Sequence, residues 1–215
     1  MNYKEIIMEY ILKCGVNEPI FYNEIIDYII KYTDEKKTQK LYDKVKEIMY
    51  RLVKDKAICS EYKGIYYIPK KNIFGTMSLP KDKIIKYKYL MTKDDKIKGY
   101  ITGAKLFNDA GLTTQVPNTI DIVTNEYTNK NKYYDKAFNV VIRKSNIKID
   151  IDNYKYLQLI DILLNKDKIN IEVENDIQVI YNFIKNNKLD FEKILKYVKL
   201  TNNTKIINKV LLLAR

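Results

Sequence analysis

The chain contains no histidine, two cysteines, four prolines and six glycines in 215 residues. Without histidine there is no imidazole to act as a general base, no Ser-His-Asp or Cys-His triad, and little of the usual ligand set for zinc. Any enzyme built from these residues works with carboxylates, lysine or tyrosine. Cys14 and Cys59 stand alone and far apart in the sequence, which fits reduced structural thiols better than a disulfide or a metal site. No apolar run approaches the roughly 20 residues needed to cross a bilayer. The longest candidate, VLLLAR at the end of the chain, is far too short. The N-terminal MNYKEIIMEYILKCG carries Glu5 and Glu9 in a helical pattern and no small-residue cleavage site, so no signal peptide is expected and the expected location is the cytoplasm. No cofactor and no metal are expected.

What is present is a globular composition, with 46% hydrophobic and 31% charged residues and a net charge of +12. The charge is unevenly spread. Residues 1–35 hold three Lys against seven Asp and Glu, whereas residues 36–71 hold eleven Lys and Arg against four. A step from −4 to +7 within one small region suggests an electrostatic footprint for a polyanion.

The step falls on a recognisable order of elements. Ile6, Ile7, Tyr10 and Ile11 form a helical apolar stripe that Gly15 can end. A short extended PIFY follows, and Asn23 is the expected N-cap of a second helix with Ile25, Ile26, Ile29 and Ile30 facing inward. A third helix is expected between Asp34 and Lys54, burying Leu41, Val45, Ile48 and Leu52. AICSEYKGIYYIP then reads as a hairpin turning at Lys63-Gly64. Helix, short strand, helix, basic helix and hairpin is the order of a winged helix-turn-helix, whose third helix enters the DNA major groove. Lys36, Lys37, Lys40, Lys44 and Arg51 are therefore candidates for phosphates or purine edges. Thr38, Gln39 and Tyr42 are candidates for bases, and Lys63 lies at the wing tip.

The rest of the chain reads as α+β. PKKNIFG is the expected junction, placing a DNA-binding domain at 1–72 and a second domain at 73–215. LPKDKIIKYKYLM suggests a short helix, and Lys81, Lys83, Lys86 and Lys88 form a second basic segment. GYITGAKLFNDAG suggests a strand end turning into a helix stopped by Gly111, followed by an extended LTTQVP and a strand in NTIDIVTN. KAFNVVIRKS and IKID suggest further strands. From Tyr154 the period is helical through YKYLQLIDILLN, IQVIYNFIKNN, FEKILKYVKL and TKIINKVLLLA. The expectation is a small mixed sheet with a C-terminal helical set.

A small-residue turn before a strand with a carboxylate also invites a nucleotidyltransferase reading, in which two carboxylates one residue apart hold divalent metals. Asp121 stands on such a strand, but Val123 occupies the place of its partner. Asp150, Asp152 or Glu172 could add a third ligand without replacing the missing one. No catalytic residue is assigned, and the chain is read as not an enzyme.

Three segments, GIYYIPKKNIFG, YITGAKLFNDAGLTTQVPNTIDIVTN and YLQLIDIL, resemble the AbiEi-like antitoxins of type IV toxin–antitoxin systems. The middle segment is close to that family's pattern of a Gly-containing turn, a helix with Asn and a Leu-Thr-Thr-Gln-Val-Pro run. The resemblance implies an N-terminal winged helix that binds inverted repeats in its own promoter and represses the operon. It implies a C-terminal domain that counters a nucleotidyltransferase toxin encoded alongside, without requiring a stable complex between the two. Thr113, Thr114, Gln115 and Asp121 are the candidate residues of that domain, the first three expected to be exposed. The alternatives are a stand-alone winged-helix regulator with a sensing domain, and a degenerate transferase.

Overall fold

Asn2 opens the first helix with a reciprocal cap: its side chain accepts from the backbone N–H of Lys4, and the Glu5 carboxylate accepts from the N–H of Asn2. In this computed structural model, which describes residues 2–33, 35–73, 75–169, 171–200, 206 and 210, the chain forms two compact units, 1–85 and 86–215. The fold is α+β.

The first unit runs α1 (Tyr3–Cys14), β1 (Ile20–Phe21), α2 (Tyr22–Tyr32), α3 (Gln39–Lys54), β2 (Cys59–Tyr62) and β3 (Ile65–Tyr67). The three strands are antiparallel in the order β1-β3-β2, with Ile20 opposite Tyr66 and Phe21 opposite Ile65. This is the winged helix-turn-helix arrangement. Gly15 ends α1 as expected. The start of α2 differs from expectation, because the cap is Phe21 rather than Asn23. Phe21 is already extended as the last residue of β1, so the helix needs no separate capping residue. The N–H of Tyr22, one of the donors a helix start leaves open, reaches the carbonyl of Gly64 in the wing turn at 2.9 Å.

The core of this unit is a triangle of isoleucines closed by α3. Ile6, Ile7 and Ile11 from α1 meet Ile25, Ile26 and Ile29 from α2, with Leu41, Val45, Met49 and Leu52 beneath. Each side chain of this size stabilises the fold by about 1.5–3 kcal/mol on burial. Met49, not Ile48, is the buried residue of the third turn, since the stripe advances by four from Val45. Ile30 and Tyr10 are only half-buried, and the Tyr10 ring packs 4.8 Å from that of Tyr28. After the wing, the expected junction folds as a small hairpin, β4 (Lys71–Asn72) with β5 (Gly75–Thr76). Pro80 then leads into α4 (Lys81–Ile85), the last element of the unit.

The second unit begins with a π-helical turn, Lys86–Leu90, and continues β6 (Gly99–Thr102), α5 (Gly103–Asp109), β7 (Ile120–Thr124), β8 (Tyr133–Asp135), β9 (Val140–Lys144), α6 (Tyr154–Asn165), α7 (Asp176–Asn186) and α8 (Phe191–Leu200). Its four strands lie in the order β6-β7-β9-β8, mixed in direction, with β7 and β9 parallel and the outer pairs antiparallel. Gly99 has no room for a side chain, because a Cβ there would stand 2.2 Å from the carbonyl oxygen of Tyr89. Ala110 is the C-cap of α5, with Gly111 one residue later.

IKID is not a strand. Its backbone is satisfied by side-chain amides instead: Asn125 exchanges two hydrogen bonds with Ile149, and Asn153 donates to the carbonyl of Lys148 at 2.7 Å. The main core joins Leu106, Phe107 and Leu112 to Leu159, Ile160, Ile162 and Leu163 of α6 and to Ile180, Ile194 and Val198 of the last helices. In TKIINKVLLLA only Ile206 and Val210 are described; both are helical and buried in this core, and the rest lies outside the described residues.

Candidate nucleic-acid interface

Charge at the start of α3 is placed where stability alone would not put it. The positive end of a helix macrodipole favours acidic residues in the first turn, an effect of about 0.3–1 kcal/mol. α1 and α2 follow that rule with Glu5 and Glu24, whereas α3 has no acid in its first turn and is led in by Lys36, Lys37 and Lys40. All three lysines are exposed. Fixed cations next to unpaired helix N–H groups form a field that attracts anions.

The structure sorts the nine candidate residues of this face. Thr38 is the N-cap of α3, its hydroxyl oxygen accepting from the N–H of Leu41 at 3.3 Å. Lys37 pairs with Asp27 of α2 at 2.7 Å, and the hydrogen bond it donates to that carboxylate raises its pKa. Gln39 donates to Asp43 at 2.9 Å, Arg51 pairs with Glu47 one turn back, and Lys44 sits 4.1 Å from the centre of the Tyr3 ring. Tyr42 is half-buried, its ring 6.1 Å from that of Tyr22, whose hydroxyl donates to the Tyr42 carbonyl at 2.5 Å. That leaves Lys36, Lys40 and Lys63 as the exposed cations of the set with no ion pair or ring contact among the described residues. Asp43 and Glu47 also lie on the solvent side of α3, together with the exposed Lys46 and Lys54 further along it.

In the second unit the candidates divide sharply. Thr113 is buried, not exposed; its hydroxyl accepts from the N–H of Gln115, and its carbonyl accepts from Asn108 at 3.2 Å. Thr114 and Gln115 are exposed but engaged. The Thr114 N–H donates to Glu172 at 2.8 Å, its hydroxyl donates to the same carboxylate, and the Gln115 amide donates at 3.1 Å. Those bonds, from Thr114 first, hold the Glu172 carboxyl below its usual range. The Leu-Thr-Thr-Gln-Val-Pro run is therefore a clamp joining the loop after α5 to the segment before α7, and Glu172 is its other jaw.

Asp121 is half-buried on β7 and lies against Gly103, where a Cβ would meet its Oδ2 at 2.7 Å. Gly103 also has a positive φ of 64°, so this tight start of α5 demands glycine twice over. Val123 is buried among Tyr100, Ile149 and Leu157. Asp150 caps the turn into α6, accepting from the N–H groups of Asp152 and Asn153 at 3.0 Å. Among the described residues, no group of three or more Cys, Asp or Glu is placed to hold a metal ion.

Two clusters were not singled out from the sequence. Asp161 of α6 is buried and accepts from Thr102 at 2.6 Å and from Arg143 of β9 at 2.5 Å. With Asp121, Lys132 and Lys168 these groups line a cleft of about 300 Å³. Asp135 of β8 is likewise buried, bonded by Lys88 at 2.8 Å and by the Tyr89 hydroxyl at 2.5 Å. Burial would raise its pKa, but these two bonds and the Lys88 charge together bring it below the ordinary 3.8. Lys88 is thus committed to an internal partner. Lys83 is committed too, within the first unit, to Glu18 and to the carbonyl of Asn17 at 2.9 Å. The second basic segment is reduced to Lys81 and Lys86 as exposed residues. The signal for Asp161 was available: it and Gln158 interrupt an otherwise apolar helical run, three residues apart.

A family model matches residues 25–190, from α2 to the loop after α7; it is DUF6088, a family of unknown function. No curated protein sequence matches the chain.

Proposed function

The chain belongs to that family, whose description carries no activity; from the charge on its first unit and from its resemblance to AbiEi-like antitoxins we propose that it is a DNA-binding antitoxin that represses its own operon. The observation that carries the DNA half is the N-terminal end of α3. In a winged helix this end faces the major groove, and here Lys36 and Lys40 stand exposed without an acid in the first turn. Lys63 at the wing tip extends the same positive face towards the flanking backbone. Phosphate contacts of this kind position the protein on the duplex, and Gln39 reads base edges after exchanging its Asp43 partner for a purine.

The antitoxin half rests on the resemblance of the second unit to AbiEi-like antitoxins. In this reading the unit counters a nucleotidyltransferase toxin encoded beside it and is not itself catalytic. Its clamp between Thr114, Gln115 and Glu172 maintains the shape of the loop.

Binding is tested by fluorescence anisotropy with the duplex upstream of the gene and a shuffled duplex, from 50 to 200 mM salt. The expected result is preference for the upstream duplex, with log K falling linearly against log salt as counterions are released. Equal, salt-independent affinity for both duplexes overturns the DNA reading. Growth on co-expression with a neighbouring nucleotidyltransferase tests the other half: rescue by residues 86–215 supports it, and continued arrest despite soluble protein overturns it.

A further inference from the structure

The second unit contains a cleft of about 790 Å³ between the π-helical turn, β6, the end of α5 and helices α6 and α7, within the range of small-molecule sites. It is separate from the residues around Asp121. Lys155 is half-buried in its wall, with its ammonium 5.1 Å from the centre of the Tyr154 ring and 5.8 Å from that of Phe183. No carboxylate lies within ion-pair distance of it among the described residues. Asp109, which also lines the cleft, is taken by Lys105 at 2.5 Å.

Loss of water around the ammonium lowers the Lys155 pKa, and the more distant Asp109 charge only partly opposes this. Beside it, Gln158 donates from Nε2 to the Ile101 carbonyl at 3.1 Å, while its Oε1 is buried without a partner. A buried acceptor left unmade costs about 1–3 kcal/mol. The cleft therefore combines a desolvated cation with no counter-ion, two aromatic rings, and an amide oxygen short of a donor.

We propose that this cleft binds a small organic anion of the nucleoside monophosphate class. The phosphate pairs with Lys155, the planar base packs against the Tyr154 and Phe183 side chains, and an N–H of the base supplies the donor that Gln158 lacks. The first two contacts answer the desolvated charge and the aromatic surface; the third answers the unpaired oxygen. The inference stands apart from the DNA-binding reading, which concerns the other unit.

The test is isothermal titration of the full chain with AMP, GMP, CMP and UMP, beside the four nucleosides and inorganic phosphate. At least one monophosphate is expected to bind, and its nucleoside to bind about ten-fold more weakly or worse, since a charge-assisted bond is lost. Lys155→Met is expected to abolish measurable binding while leaving the unliganded unfolding temperature equal or higher, because it removes an unpaired desolvated charge. Gln158→Leu is expected to weaken binding about five- to ten-fold through loss of one hydrogen bond. No binding by any monophosphate at millimolar concentration overturns the proposal, as does undiminished binding by Lys155→Met.

Discussion

The two units use charge in opposite ways. In the first, cations gather on the surface, at the entry to α3 and at the wing, and the core is almost wholly aliphatic. In the second, carboxylates are drawn inside: Asp161 is held by Thr102 and Arg143, and Asp135 by Lys88 and Tyr89. An exposed cation costs the fold little and remains available to a polyanion. A buried carboxylate is tolerable only with its partners in place, so removing either member of such a pair is costly. The difference separates a surface suited to binding from an interior that specifies one packing.

The strongest way to break the contrast is Asp161→Ala. It strands Arg143 and Thr102, and is expected to cost about 3 kcal/mol, the low end for a broken buried pair because Arg143 is partly exposed. Native-state hydrogen exchange should accelerate in β6, β9 and α6 while α1–α3 keep their protection. Equal acceleration in both units would deny that the cluster belongs to the second alone.

Next is the triple substitution of Lys36, Lys40 and Lys63 by Ala. Losing three phosphate contacts should lower affinity for the upstream duplex about a hundred-fold at 150 mM salt and flatten the salt slope by about 3. Stability should move by no more than about 0.5 kcal/mol, as is usual for surface positions. The same measurement on Lys37→Ala and Lys44→Ala sharpens the assignment, since both side chains are engaged in the free protein and should matter less.

Thr38→Ala removes the cap of α3 and is expected to cost about 1 kcal/mol in chemical denaturation. Thr38→Asp retains a capping oxygen and adds negative charge; it should preserve stability and weaken DNA binding.

The smallest expected effect is one of pH. The Asp135 carboxyl is held below its ordinary 3.8 in the folded chain, so the unfolded chain takes up the proton first. Its contribution is therefore complete above that value and is lost as the pH falls through it towards the lowered one. Denaturation midpoints measured from pH 6 down to pH 3 should fall, and Asp135→Asn should make that fall shallower.

Much of the first unit was legible because its signals are local. The isoleucine stripes, Gly15, the Lys63-Gly64 turn and the charge step all act within a few residues along the chain. One error there has a tertiary cause: Asn23 is a good cap by type, but β1 and the wing turn already satisfy the start of α2. In the second unit the sheet, α5 and the helical set were legible from period. IKID was misread because amides from Asn125 and Asn153, distant or following in sequence, hold an irregular segment that alternates like a strand. Thr113 looked exposed from its polarity, yet it is inside the loop clamp.

The sequence by itself determined the α+β class, the winged-helix order and the location of the positive charge, because periodicity and composition are properties of neighbouring residues; the compact units divide at 85/86, not at the expected 72/73. Only the tertiary structure decided which cations are available, which carboxylates are buried with partners, and that a cleft surrounds Lys155. Those properties depend on groups brought together from positions as far apart as Thr102 and Asp161, and no local pattern in the chain encodes such a meeting.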